Sequence, residues 1–412
     1  MPAQRKPAVL RESSESLTPA VSISRRATER LRSGHVWVYR SDIPAPETLP
    51  VGGMVTVQTE RGRPLGSALS SNASQIALRM ISQSVLSDEC ELQTLLRSRV
   101  REAIAYRRRL VPADADAYRL IFSEADGLPG LVVDRYRQIL SLQTLTQAMD
   151  RADIKEVAIA ELLEQFASEA VSSVVQRVDP RIRELEQLPP APSRLLRGEE
   201  TATVYAINGI RFHYDGLSGQ KTGAFLDQRE NYAAAQRYAH GSALDVFCYQ
   251  GGFALHLARK CDSVTALDSS RPALEVAEQN EALNPGRPSI EWMEGNAFDF
   301  LKDSATAGRE YDTIVLDPPA FAKSRRNLET ALRGYKELTL RALRMLRPGG
   351  VLVTCSCSYH VSDADFLEML RSAAADIHRN VLLLEHRGQA QDHPTVLGIP
   401  ETHYLKCVIC SV

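Results

Sequence analysis

From about Ala206 to its end the chain alternates short apolar runs with stretches of helical periodicity, and few folds accommodate that alternation. Ala243–Phe247, Ser263–Asp268, Thr313–Asp317, Val351–Cys355 and Tyr404–Ser411 read as strands. Asp227–Ala239, Gly252–Lys260, Arg271–Leu283, Asn327–Leu346 and Ala364–Asp376 read as helices, with Arg347-Pro348-Gly349-Gly350 as a turn. This β-α-β succession predicts an α/β fold in which helices cover both faces of a parallel sheet. Such sheets bind ligands outside the carboxyl ends of their strands, so the residues just after each strand are where chemistry is expected.

The first strand runs into Asp245-Val246-Phe247-Cys248-Tyr249-Gln250-Gly251-Gly252-Phe253. Glycines at a strand's end let the backbone approach a ligand closely. The GxGxxG pattern of dinucleotide sites is absent, which disfavours a nicotinamide or flavin enzyme. The next strand ends at Asp268, where a carboxylate suits both hydroxyls of a ribose. A helix cap is the plainer alternative, because Asp268-Ser269-Ser270 precede Arg271-Pro272. Both hold together if Ser270 is the cap. Asn296, in Glu294-Gly295-Asn296-Ala297, is placed either to reach an adenine ring or simply to make a turn.

Asp317-Pro318-Pro319-Ala320-Phe321 follows an apolar strand, and its two prolines stiffen a turn that holds the carboxylate in one pose. A flat base stacked near Phe321 would present its edge to Asp317. Val353-Thr354-Cys355-Ser356-Cys357-Ser358-Tyr359 is the last such element. Most buried cysteines are small hydrophobes, which accounts for Cys248, Cys261 and Cys407. Cys355 and Cys357, at a strand end among hydroxyl residues, fit a nucleophile better, and both face one way if the strand continues through them. No metal site is expected, since Cys355/Cys357 and Cys407/Cys410 match no common zinc spacing.

The front of the chain is organised differently. Residues 1–18 are polar and read as disordered. A β-rich unit is expected over 19–85, with Val51–Thr59 and Gln75–Ile81 among its strands. Residues 86–200 are expected to form a middle α+β unit. Its parts are a helix Leu92–Leu110, a hairpin turning at Asp126-Gly127, a strand Ile139–Thr146, a helix Ala152–Ala167, a strand Val171–Val178 and a Pro-rich linker from Pro180 to Gly198. The third unit then spans 201–412. Net charge is only −2, but Met1–Leu110 carries 17 Lys and Arg against 10 Asp and Glu. That basic front suggests a polyanionic partner. The arginines of Leu92–Leu110 are either a solvated helix face or part of an RNA-facing one. Seven cysteines, no apolar leader at Met1–Pro19 and no apolar run of membrane-spanning length point to a cytoplasmic protein with reduced thiols and no membrane partner.

At these residues the chain resembles class I S-adenosylmethionine (SAM)-dependent methyltransferases and, more narrowly, the RlmI-like family of bacterial 23S rRNA cytosine-5 methyltransferases. Gly34-His35-Val36-Trp37-Val38-Tyr39 matches its N-terminal PUA domain, and Phe122-Ser123-Glu124-Ala125-Asp126-Gly127-Leu128-Pro129-Gly130-Leu131 matches its middle domain. Gly223-Ala224-Phe225-Leu226-Asp227-Gln228-Arg229-Glu230-Asn231, Asp317-Pro318-Pro319 and Ser356-Cys357-Ser358 match its Rossmann-like catalytic domain. The resemblance implies SAM as cofactor and 23S rRNA, naked or partly assembled, as substrate; a homodimer is compatible with it. It places Asp245, Phe247, Gly251, Gly252 and the adjoining Phe253 at the methionine end of SAM, Asp268 on the ribose and Asn296 by the adenine. Phe225, Asp227, Gln228, Arg229 and Asn231 would cover the cofactor. Cys357 would be the nucleophile, with Asp317 beside the base and at the cofactor's edge. The second cysteine that many RNA cytosine-5 methyltransferases carry after the loop's first proline is missing here, where Pro319 and Ala320 stand. Two rival functions remain: methylation of a base nitrogen, such as guanine N7 or an exocyclic amine, and a non-catalytic RNA-binding ribosome assembly factor.

Overall fold

The computed structural model describes residues 18–169, 171–217, 224–322 and 324–412. Most of the segment expected to be disordered, and Gly223 of the quoted motif, lie outside these residues.

The front of the chain forms a five-stranded sheet from β1 (Ala20–Ile23), β2 (Trp37–Tyr39), β3 (Met54–Thr59), β4 (Pro64–Ser70) and β5 (Ile76–Ser82), in the order β1-β3-β4-β5-β2. The β-rich reading of this stretch omits α1 (Arg25–Arg32), which Ser24 caps by accepting from the Ala27 N–H. Only Ala27 and Thr28 of α1 are buried, too few apolar positions to give a readable helical period.

A second sheet, in the order β10-β9-β8-β7-β6, comprises β6 (Ala117–Phe122), β7 (Leu131–Tyr136), β8 (Ile139–Thr144), β9 (Ser173–Gln176) and β10 (Arg194–Arg197). The hairpin read at Asp126-Gly127 joins β6 to β7, with Gly127 in the left-handed region at φ 64°. Against this sheet pack α2 (Glu89–Leu110) and α4 (Ala152–Gln165), the latter preceded by the single turn α3 (Gln147–Asp150). The stretch read as a linker is ordered: Asp179 caps α5 (Pro180–Leu185), which starts on a proline, and β10 adds an edge strand. The arginines of α2 divide: Arg101, Arg108 and Arg109 are exposed, as a solvated face requires, Arg97 and Arg99 are half-buried, and Arg107 is buried. Arg107 is fully buried, ion-paired with Asp126, and donates to the Asp392 carbonyl at 2.9 Å. Arg99 donates to the carbonyls of Gly127 and Ile81, and Arg101 pairs with buried Glu161 at 2.6 Å. These side chains brace the helix against its neighbours, a third outcome beside the two anticipated.

After the hairpin β11 (Ala202–Ile207) and β12 (Ile210–Asp215), a seven-stranded sheet fills the remainder of the chain. Its strands are β13 (Ser242–Val246), β14 (Ser263–Asp268), β15 (Ile290–Glu294), β16 (Tyr311–Leu316), β17 (Leu346–Ser356), β18 (Leu382–Arg387) and β19 (Lys406–Ser411). Their order is β15-β14-β13-β16-β17-β19-β18, all parallel in direction except β19, which pairs antiparallel with β17 and β18. Flanking helices are α6 (Arg229–Tyr238), α7 (Gly252–Leu257), α8 (Arg271–Ala282), α9 (Ala297–Thr306), α10 (Leu328–Met345) and α11 (Asp363–Asp376). Alternate strand residues feed two cores: Ala243, Val315, Val353 and Cys355 enter one, Leu244, Val246, Ile314, Leu316 and Leu352 the other. The chain builds outward from β13 to β15 and then returns to β16 on the other side of β13. That reversal opens a crevice at the carboxyl ends of β13 and β16, where open α/β sheets bind ligands.

Candidate active site at the strand ends

The loop after β13 is held in an uncommon backbone shape. Phe247 (φ 69°), Tyr249 (φ 49°) and Gly251 (φ 87°) are all left-handed, and two of them carry side chains. Such residues persist only where surroundings over-determine them, which is typical of ligand-binding loops. Both Phe247 and Cys248 donate their N–H to the Leu267 carbonyl, at 2.9 and 3.0 Å. A Cβ on Gly251 would lie 2.8 Å from the Trp292 ring, and one on Gly252 2.6 Å from the Tyr232 ring. The glycines therefore serve tight packing as well as backbone approach.

Asp245 lies beneath this loop, fully buried, with Oδ2 accepting from the Ala254 N–H at 2.8 Å and Oδ1 without a partner among the described residues. Burial, then the neighbouring carboxylates Asp317 and Asp268, push its carboxyl well above the usual range. Asp268 is half-buried at the end of β14. Its Oδ2 accepts from Tyr249 N–H and its Oδ1 from Ser270 N–H, both at 2.9 Å, while Ser270 caps α8. An ionised carboxylate offers about four acceptor positions, so two backbone bonds fix Asp268 without exhausting it. Asn296 is exposed and its Oδ1 caps α9, accepting from Phe298 and Asp299, so the turn reading accounts for that oxygen. Phe253 turns into the core, where its ring meets Tyr232 edge-on at 4.7 Å.

The segment 225–231 divides. Phe225 stays half-buried with its ring edge-on to Tyr249 at 5.1 Å, over the glycine loop. Asp227 accepts from the Tyr404 hydroxyl at 2.7 Å, and buried Arg229 lies 3.6 Å from Asp392. Gln228 and Asn231 are buried in a chain of hydrogen bonds whose polarity Arg387 sets. A guanidinium only donates, so the Arg387 Nε bond to Asn231 Oδ1 (2.9 Å) leaves Asn231 Nδ2 to donate to Gln228 Oε1 (2.7 Å). Gln228 Nε2 then donates to Asp317 Oδ2 at 3.0 Å. Gln228 and Asn231, expected to line a ligand, stand behind Asp317 in this chain of bonds, while Arg229 faces Asp392 instead. Polar side chains this buried must spend their hydrogen bonds on protein.

Asp317 emerges at the end of β16, its N–H donating to the Val246 carbonyl at 3.3 Å. Cys357 lies just past the end of β17, half-buried, its Sγ 3.9 Å from the Pro318 carbonyl. The two cysteines do not share a setting. Cys355 is inside the sheet, fully buried opposite Cys407 in the register with β19, and burial followed by Cys407 pushes its thiol up. The turn carrying Cys357 is pinned by Tyr335 of α10, a residue whose helical spacing reads only as core. The Tyr335 hydroxyl lies 2.9 Å from Ser358 Oγ and 3.0 Å from Ser356 Oγ. Ser358 Oγ also accepts from Ala322 N–H at 3.2 Å, tying this turn to the Asp-Pro-Pro loop. Beside them Phe321 packs on Tyr335 (4.7 Å) and lines a groove of about 650 Å³ with Phe298, Thr330 and Arg333. Among the described residues no group of three or more His, Cys, Asp or Glu is placed to hold a metal ion, and no helix is long and apolar enough to cross a membrane.

Residues 21–83 match a PUA-like domain, and residues 130–399 match the S-adenosylmethionine-dependent methyltransferase model. Similar proteins include ribosomal RNA large subunit methyltransferase I of Photobacterium profundum, 35% identical over 96% of this chain and 100% of the relative. The protein of the same name from Shewanella amazonensis is 36% identical over 92% of this chain and 95% of its own. Among solved structures, the SMU.776 methyltransferase complexed with SAH superposes with a TM-score of 0.81 at 18% identity, over 96% of this chain and all of that one. At that identity the likeness concerns the fold.

Proposed function

The chain belongs to the ribosomal RNA large subunit methyltransferase I family of SAM-dependent methyltransferases, and from that premise we propose that it forms 5-methylcytidine in 23S rRNA through a covalent adduct of Cys357. The observation that carries this reading is the contrast between its two candidate thiols. Cys357 reaches the crevice beside the Asp-Pro-Pro loop, whereas Cys355 is sealed in the sheet.

The pocket's chemistry fits SAM. Asp268 offers an acceptor-only carboxylate for a ribose diol, and Gly251 and Gly252 give an uncluttered backbone at the methionine end. Asp245 Oδ1 is a buried polar atom lacking a partner among the described residues, and Phe225 covers the loop. When bound, the cofactor supplies an electrophilic methyl on sulfonium. Carbon 5 of cytosine is too weak a nucleophile to take that methyl unaided. The Cys357 thiolate adds to carbon 6, forming the S–C6 bond; the C5–C6 π pair shifts to C4–C5 and the C4–N3 π pair to N3, so that carbon 5 becomes enamine-like. Asp317, oriented by Gln228, acts here in its protonated form: it donates a proton to ring N3 as the electron pair arrives there, and takes it back when the double bond re-forms. After methyl transfer a base takes the proton from carbon 5, the double bond re-forms, and the thiolate leaves with the S–C6 pair. A base within a duplex must first be flipped out, so single-stranded or unassembled rRNA is the expected substrate.

The test is methylation of unmodified 23S rRNA with labelled SAM, followed by nucleoside mass spectrometry. Wild type yields 5-methylcytidine and Cys357→Ala yields none. A methylated base nitrogen, or an active Cys357→Ala, would refute the thiol mechanism while leaving the family assignment intact.

A further inference from the structure

Lysine is rarely buried in full, yet Lys406, on the strand beside β17, is 1% exposed. It stands opposite Ser356 in the β17–β19 register, and its Nζ donates to the Ser358 carbonyl at 2.7 Å and the Tyr404 carbonyl at 3.0 Å. Both bonds go to neutral carbonyls, and Lys406 makes no ion pair among the described residues. The acid that faces it, Asp363 of α11, is bonded by His386 and His403 at 2.8 and 2.9 Å. A desolvated ammonium with no carboxylate bonded to it is costly to keep. A purely structural role at the Ser358 carbonyl would need only a neutral donor.

Cys357 lies between the two serines of this turn, next in sequence to the Ser358 whose carbonyl Lys406 holds, and the ammonium and the thiol interact electrostatically. Tyr335 faces the same turn from α10, Asp317 lies across the Pro318 carbonyl, and Tyr359 follows with Tyr39 and Glu401 beside it. Burial lowers the Lys406 ammonium to about 8, while Asp363 and Cys357 oppose that drop, so it remains largely charged at neutral pH. A positive charge in a low-dielectric setting favours an adjacent thiolate.

We propose that Lys406 is a positioning residue for Cys357, holding the turn that carries the thiol and supplying the charge that favours its thiolate. The inference rests on Cys357 being the nucleophile, but its test does not. Iodoacetamide alkylation of the full chain is followed from pH 6 to 10 by peptide-resolved mass spectrometry, with exposed Cys90 as the reference in each sample. In wild type the Cys357 rate should reach half-maximum below about 8.5, the ordinary thiol value. In Lys406→Met the midpoint should rise by about one unit, making alkylation near pH 7 about tenfold slower, with Cys90 unaffected. A wild-type midpoint at or above 8.5 overturns the proposal without reference to any variant, and so does an unshifted profile in Lys406→Met. If the shift appears but Cys357→Ala still makes 5-methylcytidine, the Lys406–Cys357 coupling stands and the nucleophile reading fails.

Discussion

At the scale of single residues, the proposed site separates groups placed to meet ligand from groups that aim them. Asp268 is proposed for the first kind, with two backbone bonds fixing its carboxylate at the strand end. Asp268→Ala should weaken SAH binding by at least tenfold, because hydrogen bonds to a charged acceptor contribute about 1.5–3 kcal/mol. Isothermal calorimetry with SAH checks this, and an unchanged dissociation constant would remove Asp268 from the cofactor site. Gln228 and Asn231 are of the second kind. Their place in the motif is plain in the sequence, but a motif match cannot tell a side chain that touches ligand from one that holds another side chain. The Arg387 bond, 156 residues along the chain from Asn231, and the Gly388 carbonyl beside it settle which way the amides point. Cys355 shows the same limit. Alternation would set it beside Cys357, but the strand stops at Ser356 and the two thiols part.

Among elements, the parallel sheet was the most legible part of the chain because its strands are continuous apolar runs and its helices carry a clear period. Ser263–Asp268 is found with the boundaries read for it, and α8 differs by one residue. Elements without that contrast were missed. β18 is mostly exposed, β10 is four residues flanked by arginine, and α1 buries two side chains. The link between α10 and the Cys357 turn was equally hidden, since a tyrosine at core spacing gives no sign of where its hydroxyl points. Tyr335→Phe should cost about 0.5–1.5 kcal/mol of stability by urea unfolding, and methyl transfer should fall disproportionately, by tenfold or more. Equal activity per folded molecule would mean that the clamp does not position the thiol.

At the scale of the whole molecule, the segment 388–403 ties the catalytic sheet to the units before it. Asp392 is its buried anchor: it accepts from Arg119 N–H at 2.8 Å and from His393 at 3.0 Å, and faces Arg229. These partners, with His393 foremost, outweigh its burial and hold its carboxyl down to about 2. A depressed folded-state value means stability that is fully present above the unfolded value near 3.8 and lost as pH falls toward 2. Asp392→Asn should therefore lower stability by about 2 kcal/mol at pH 7 and by progressively less below pH 4. Urea unfolding at several pH values reads the difference, and a pH-independent penalty would contradict the assignment. The basic front is a second property at this scale. Arg25, Arg26 and Arg32 are exposed on α1. Their reversal to Glu should weaken rRNA binding and flatten its dependence on salt, because phosphate contacts release counterions. An unchanged salt slope would place the RNA surface elsewhere.

The proposed mechanism requires a bond between Cys357 and carbon 6 of the target base. RNA carrying 5-fluorocytidine tests this directly, since fluorine at carbon 5 cannot leave as a proton and the thiolate cannot be expelled. Incubated with SAM and such rRNA, the wild-type protein should form a complex that survives denaturation, with the nucleotide mass mapped by peptide sequencing to Cys357. Absence of any stable complex while ordinary rRNA is methylated, or a linkage at another residue, would contradict the mechanism proposed for this site.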